Sequence, residues 1–441
     1  MTVTERTVTA SEALSRRQAS QLAGAGLALI AVSYGIARFA YGLFVPAFRT
    51  EFDLDPTQVG LIGSVSYGVY CIAIYPAMML TPRFGSRRLA LLAGALATIG
   101  MALVALAPSA AVLTLGVVLG GLSTGIVSPP LAHAVALRVP RARRDRTQAM
   151  VNSGTGLGVA LSGPVALLTL EQWRGAWLAF SLAALLVTVW AAFSIPRTRE
   201  AEAYTVAVRW HGGRRRMVKD LLPDPLLPEG GAKLLLTSLV LGVGTAAVWV
   251  FGRDILIDIG GQGETSSTVA WSVLGACGLL GAGAGDLAYR FGLTRAWAFS
   301  CLGIAAATAL IGFAPHAVTL SVAASGLFGA AYIATTGLLL ITAASTYHHQ
   351  PASGVGLSFL TLALGQAIGG GLLGGLIDSF STAAAFAAAA AAVTLSAALA
   401  PSKTISTRTE EIAVLRQEDI DADKSPAFRP FRRRKSQQRT P

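Results

Sequence analysis

Leu80-Thr81-Pro82-Arg83-Phe84-Gly85-Ser86-Arg87-Arg88 is matched, 207 positions on (83 to 290), by Leu287-Ala288-Tyr289-Arg290-Phe291-Gly292-Leu293-Thr294-Arg295. Each copy is a short link between two long apolar runs. A helix that crosses a hydrocarbon core needs about 20 mostly apolar residues. Runs of that kind fall near 21–46, 58–81, 89–107, 111–135, 149–170 and 175–195, then near 233–257, 267–288, 296–313, 317–344, 352–376 and 382–400. The repeated link follows the second run of each set of six. This predicts an all-α membrane protein of twelve transmembrane helices in two pseudo-repeated halves. The alternation of a spanning β-barrel, the other structure that satisfies its backbone in lipid, is absent.

Composition agrees. Of 441 residues, 53% are hydrophobic and 13% charged, against roughly 25% charged in soluble domains, and mean hydropathy is +0.59. Cys71, Cys277 and Cys301 lie in apolar runs and read as packing residues without disulfides. The first run has no cleavage site and reads as a retained helix. With the N-terminus inside, 31 of the 35 Lys and Arg fall in inner segments, two (Arg49, Arg174) in outer loops, and two (Arg38, Arg253) within spans. Because cytoplasmic loops are enriched in basic residues, this orients the chain in a bacterial inner membrane with both termini cytoplasmic. It also accounts for the net charge of +12 without a nucleic-acid partner. The expected division is a cytoplasmic N-terminus (1–20), a six-helix bundle (21–195), a cytoplasmic loop (196–232), a second six-helix bundle (233–400) and a polybasic tail (401–441). The composition of that tail is that of disordered chain, and it could touch anionic lipid.

On these features residues 20–400 resemble the major facilitator superfamily. Its loop signature is Gly-x-Leu-Ala-Asp-Arg-x-Gly-Arg-Arg, after helix 2 and, weaker, after helix 8. The second copy here keeps Gly285, Leu287, Ala288, Arg290 and Gly292; the first keeps Leu80, Arg83, Gly85 and Arg87. The signature acid is replaced by Pro82 and Tyr289, which puts that latch of the cytoplasmic gate in doubt but not the fold. The resemblance implies a gate motif at Arg83, Gly85, Arg87, Gly285, Asp286, Arg290 and Gly292. In the fifth span, Gly154-Thr155-Gly156-Leu157-Gly158 and Gly163-Pro164 are similar to the family's glycine-proline motif. Gly154, Gly158, Gly163 and Pro164 are therefore expected to serve helix packing, as small residues do in lipid. In the family, helices 2 and 11, and 5 and 8, meet across the halves. The stretch Gly35-Ile36-Ala37-Arg38-Phe39-Ala40-Tyr41 also looks like a group of bacterial permeases with an arginine in that setting.

Arg38 is the most informative residue. A guanidinium near mid-span costs about 2.5–3.5 kcal/mol on the mildest scale and marks a functional site by default. Helical spacing places Tyr34, Arg38 and Tyr41 on one face. The residue reads as an anion anchor, gripping a carboxylate or phosphate through two parallel hydrogen bonds, as half of a buried ion pair, or as a side chain snorkelling to the interface. Asn152, Trp249 and Tyr332 join Arg38, Tyr34 and Tyr41 as candidate substrate contacts, with Ser123, Thr124, Thr335, Thr336 and Gln366 as further polar candidates. Arg253 reads as interfacial. Asp254 is a candidate partner of Arg38 or a proton-coupling group. His133, after Ser128-Pro129-Pro130 (a sequence that should break or kink its helix), is a second proton-coupling candidate. His348-His349 have no neighbouring ligands, so no metal site is expected, and no cofactor. No Gly-x-x-x-x-Gly-Lys-Ser/Thr sequence occurs, which argues against an ATP-driven pump, and clustered acids, Ser/His pairs or metal ligands of an enzyme are missing. The reading is a secondary active transporter working by alternating access, for a small organic anion, monomeric by family analogy. A proton-coupled drug or metabolite exporter is the alternative; a transporter-like sensor or membrane enzyme ranks below it.

Overall fold

A chain in lipid must satisfy its backbone hydrogen bonds within each segment, and among the described residues every regular element is a helix. The structure, a computed structural model, describes residues 14–169, 172–196, 225–347 and 351–399. Residues 1–13, most of the central loop, His348-His349 and the polybasic tail lie outside the described residues.

The rods are α1 (Arg16–Phe52), α2 (Pro56–Phe84), α3 (Ser86–Ala105), α4 (Ala110–Arg138), α5 (Arg141–Asn152 and Gly154–Leu168) and α6 (Trp173–Ser194). They continue as α7 (Gly231–Asp258), α8 (Glu264–Gly278, a 3-10 turn Leu279–Gly283, and Ala284–Phe291), α9 (Leu293–Phe313), α10 (Val318–Thr346), α11 (Pro351–Ser379) and α12 (Thr382–Ala398). Ten are long and apolar enough to span; α8 qualifies when its pieces are read as one span, and α12 is a shorter apolar helix of 17 residues. This is consistent with twelve crossings of a multi-pass membrane protein.

Local chemistry sets the ends. Ser15 caps α1 in a reciprocal box with Gln18, and Asp55 does the same for α2 with Gln58, with Pro56 in the first turn. The repeated Arg-Phe-Gly sequence is a stop signal. Gly85 (φ 83, ψ 149) and Gly292 (φ 78, ψ 153) adopt the same positive-φ conformation, which strains any residue with a Cβ. Each ends one rod and starts the next without a loop.

One rod runs past its expected boundary, and another lacks its expected break. Pro46 does not end α1, which runs to Phe52; Arg38 is therefore about 21 Å of helix from that end, near the middle of the rod. Pro129 and Pro130 do not break α4, which is continuous from Ala110 to Arg138. Packed neighbours and local adjustment compensate for a proline's missing hydrogen bond in membrane helices. In addition, α1 and α7 each contain a π-helical stretch at mid-span, Ala31–Arg38 and Ala247–Phe251. The Phe39 amide donates to the Tyr34 carbonyl, five residues back, at 3.1 Å.

The pairing of rods repeats. In the first half α1 packs on α5, α2 on α4, and α3 on both α4 and α6; in the second, α7 packs on α11, α8 on α10, and α9 on both α10 and α12. The halves meet through α2 with α11, α5 with α8, and α1 with α7, the first two being the seams that the family resemblance implied. Glycine brings the backbones together there. Gly60 lies against the Gly370 carbonyl, Gly374 against Pro56, and Gly275 against Val159 and Ala160. The motif glycines divide their work: Gly154 and Gly158 face α1, whereas Gly163 faces Ser272 of α8. Ile72, Leu168, Phe193, Leu280 and Leu372 are exposed on the outside of the bundle, where lipid is the solvent.

A Cβ at Gly275 would come closer than 3.0 Å to backbone atoms of Val159 and Ala160, while one at Gly285 meets nothing within 4 Å. Gly275→Val is expected to destabilise the purified protein by about 1–3 kcal/mol through overpacking. Gly285→Ala should leave its melting temperature unchanged or raise it. Equal behaviour of the two in a thermal melt would contradict a close seam.

Candidate functional site

Arg38 is 6% exposed at mid-bundle, and its surroundings are aromatic. The guanidinium carbon lies over the rings of Tyr67 at 4.2 Å and Tyr70 at 4.6 Å, with Phe39 at 5.4 Å and Tyr34 at 5.8 Å. These contacts offset part of the cost of a buried cation. One amino group donates to Gln366 Oε1 on α11 at 3.4 Å, and the Gln366 amide donates to the Tyr332 hydroxyl on α10 at 3.2 Å. The chain Arg38–Gln366–Tyr332 thus crosses between the halves. Nε has no hydrogen-bond partner, and among the described residues no carboxylate pairs with Arg38. The buried-pair reading of this residue therefore does not hold.

Toward the end of the bundle where α1 stops, the site is roofed by aromatic stacking across the halves. Phe39 stacks on Trp249 at 4.0 Å between centroids, and Trp249 meets Tyr332 edge-on at 5.2 Å and Trp271 at 6.0 Å. Trp271 donates to Ser162 of α5 at 3.2 Å. The glycine at position 42 lets α1 approach the Trp249 carbonyl.

Of the candidate contacts, the structure brings together Arg38, Tyr34, Trp249, Tyr332 and Gln366. Tyr41 is not with them: its hydroxyl donates to the Val59 carbonyl at 2.9 Å and its ring packs against Phe48. The wide turn at Tyr34–Phe39 changes the register after it, so a spacing of 3.6 residues misplaces Tyr41. Asn152 is exposed at the junction of the two pieces of α5 and accepts from Gln148 at 3.0 Å; it is the last residue of the first piece and has no contact with Arg38 among those described. Ser123 donates to Ser33 at 2.9 Å, while Thr124, Thr335 and Thr336 bond to carbonyls of their own helices. Two residues absent from the sequence reading, Tyr67 and Tyr70, are the closest rings to the guanidinium. A pair of tyrosines three residues apart in a span is a visible signal, but only the fold of α2 against α1 gives it meaning.

The acids are elsewhere. Asp254 pairs with Arg49 at 2.6 Å, not with Arg38, and Asp258 lies 3.4 Å from the same guanidinium. Arg253 is 5% exposed and stands near the end of α7; it donates to the Leu43 carbonyl, Thr268 and Glu264, the last at the exposed start of α8. Asp378 of α11 accepts from the Thr57 amide at 2.8 Å and from its hydroxyl. Arg174 pairs with Glu51 at 3.0 Å. The tips of α1, α7, α2 and α11 are thus latched across the halves at one end of the bundle. At the other end His133 Nδ1 lies 3.0 Å from the Ser86 hydroxyl. Gly285, Asp286 and Arg290 are exposed on the last piece of α8, and Arg83 and Arg87 flank Gly85; none of the four charged residues forms an ion pair among the described residues. No group of His, Cys, Asp or Glu that could hold a metal occurs among the described residues.

Comparison with known proteins agrees with this architecture. The model of the Major Facilitator Superfamily matches residues 27–369. Among curated proteins, the transcription regulatory protein OpdE of Pseudomonas aeruginosa is 29% identical over 235 residues, covering 52% of this chain and 56% of that protein. Human monocarboxylate transporter 11 is 28% identical over 178 residues, covering 40% and 37%. The chain therefore spans about half or less of the length of the curated relatives it matches. Among solved structures, the nucleoside transporter NupG superposes with a TM-score of 0.69 at 12% identity, covering 86% of this chain and 98% of that one. A D-xylose–proton symporter superposes with a TM-score of 0.68 at 14% identity, covering 87% and 97%. At these identities the likeness is one of fold, and these neighbours are transporters, not enzymes.

If Arg49 and Asp254 hold the halves together, Arg49→Gln and Asp254→Asn should each lower the melting temperature. The double variant should then lose less than the sum, by about 1 kcal/mol or more. Strictly additive losses would show that the pair contributes nothing to closure.

Proposed function

We propose that this chain, which belongs to the major facilitator superfamily, is a secondary active transporter that moves a small organic anion by alternating access. The observation that carries the reading is Arg38: a buried guanidinium with aromatic neighbours, an unpartnered Nε and, among the described residues, no protein carboxylate. A buried charge left uncompensated is costly, and an arriving anion supplies the missing partner through charge-assisted hydrogen bonds. Arg38 would be the anchor, with Gln366 yielding its place on the guanidinium to the ligand. The human relative is named for monocarboxylates, and a carboxylate matches the guanidinium fork.

Alternating access needs an end that closes reversibly. We assign the arginine-poor end, with the Arg49–Asp254 and Thr57–Asp378 contacts, to the outside of a bacterial inner membrane, with both termini cytoplasmic. In this orientation the outer path is latched shut. Protonation of Asp254 would weaken its hold on Arg49, which makes it the stronger proton-coupling candidate. His133, hydrogen-bonded to Ser86 at the opposite end, stays the weaker one. The six-helix bundles at 21–195 and 233–400 would rock about the α2–α11 and α5–α8 seams, and the gate motif residues would belong to the inner end.

A sensor is the second reading, favoured by the name of the Pseudomonas relative. It differs in one observable: a sensor binds its ligand without moving it.

Thermal melts of the purified protein against organic anions, neutral solutes and lipophilic cations test the proposal. At 100 times its dissociation constant an anion should stabilise by about 2.7 kcal/mol, and Arg38→Gln should remove the shift and abolish uptake into proteoliposomes. Stabilisation by lipophilic cations alone, unaffected by Arg38→Gln, would refute the anion reading. An Arg38-dependent shift without flux would favour the sensor.

A further inference from the structure

The surroundings of Arg38 restrict which anion fits. The described carboxylates stand at the two ends of the bundle: Glu51, Asp254, Asp258, Glu264 and Asp378 at the latched end with Asp53 and Asp55, Glu229 and Asp286 at the other. The described cations are placed in the same way. Arg38 alone is at mid-depth, and Arg253, nearest in helical position on the matching rod, is taken by Glu264. One fixed positive charge in a low-dielectric interior is neutralised by one negative charge. A dianion would carry a second, unpaired charge to the same depth, which is the costly case.

The walls restrict it further. Beyond the guanidinium the side chains on offer are rings: Phe39 stacked on Trp249, Tyr332 edge-on to Trp249, and Phe328 parallel to Tyr332 at 5.8 Å and 8°. Thr335 and Thr336, which could have served hydroxyl-rich ligands, are turned to their own backbone. Among the described residues Gln366 is the one amide hydrogen-bonded to Arg38, and the Tyr332 hydroxyl is already its partner. Trp249 Nε1 is a buried donor without a partner, but one such donor beside these rings would still leave most polar groups of a polyol or nucleoside unmatched, at the cost of their desolvation. A flat apolar body would instead stack on them, as aromatic pairs do.

We infer that the anion held by Arg38 is a monocarboxylate on a flat apolar body, an aromatic acid in the simplest case, with its carboxylate on the Arg38 guanidinium and its ring against Trp249 and Tyr332. This rests on the anion-transporter reading and narrows it. The carboxylate takes the position of Gln366 Oε1 and satisfies Nε, and the freed Gln366 amide donates to the ligand from the opposite half. The ligand then joins α1 to α10 and α11, replacing with its own body the link that Arg38–Gln366–Tyr332 makes in its absence.

The test compares benzoate, acetate, succinate and inorganic phosphate as ligands of the purified full-length protein, by concentration-dependent thermal stabilisation. Benzoate should act at concentrations at least about tenfold below acetate, because its ring is buried where acetate has only a methyl group. Succinate and phosphate should be weaker than benzoate. Tyr332→Leu should remove most of the advantage of benzoate over acetate while acetate binding persists, and Arg38→Gln should abolish both. Should Arg38→Gln not fold, Arg38→Lys, which keeps the charge but not the planar fork, should still weaken benzoate by about tenfold. Tighter binding of succinate or phosphate, lost in the Arg38 variant, would overturn the substrate class and leave the anion reading standing. An unchanged benzoate-to-acetate ratio in Tyr332→Leu would likewise overturn the ring's placement only. Benzoate binding that survives both Arg38 variants, or no binding of any of the four, would overturn both readings.

Discussion

Two helical halves that must move against each other need seams that are close but hold few strong bonds, and glycine at the α2–α11 and α5–α8 crossings meets that constraint. In lipid there is no hydrophobic force between helices, so association rests on packing and a few hydrogen bonds. Gly60 against Gly370, and Gly275 against Val159 and Ala160, allow backbone-to-backbone approach. Branched side chains there would interlock and resist sliding. Strong polar contacts are concentrated instead at the tips, where Arg49 meets Asp254 and Thr57 meets Asp378, with Arg38–Gln366 and Trp271–Ser162 as interior points between the halves. Smooth seams with polar fasteners at the middle and one end are an arrangement in which a ligand at the middle can bias a latch at the end.

The central fastener depends on irregular backbone. The π-helical stretches in α1 and α7 lie at matching depths and face each other through Phe39 and Trp249. Widened turns of this kind recur at functional sites because they re-aim side chains without breaking a helix. Here the turn turns Arg38 toward Tyr67, Tyr70 and Gln366, and leaves Tyr41 to anchor α1 on the start of α2. The roof above the guanidinium and the guanidinium itself are therefore products of one local distortion, repeated in the two halves.

Much of this was legible in the residues. Hydropathy located every rod to within a few positions, except where charged Arg141–Gln148 extends α5 and where α1 runs on past Pro46; the Pro129-Pro130 pair, inside a run whose ends were placed well, did not break its helix. Those misreadings share a cause: proline is a strong breaker in water, where a freed carbonyl and a distorted turn find no support, and a weak one inside a packed membrane bundle. The repeated Arg-Phe-Gly link was the better guide, because its glycines adopt one conformation, at φ 83 and φ 78, that other residues resist. Arg38 also stood out, since a charge in an apolar run is conspicuous without any coordinates.

The sequence by itself determined the number and order of the helices, their division into two repeated sets, and the presence of one cation at mid-depth. These are set by transfer free energies and backbone rules that act locally, residue by residue. It did not determine what the cation touches. That Asp254 belongs to Arg49, that Arg253 is buried against Glu264, and that Tyr67, Tyr70, Gln366 and Tyr332 surround Arg38 were decided by the tertiary structure. Contacts between residues as far apart as 38 and 366 depend on rotation and register of whole rods, and a single widened turn at Tyr34–Phe39 shifts both without changing the hydropathy that betrays the helix.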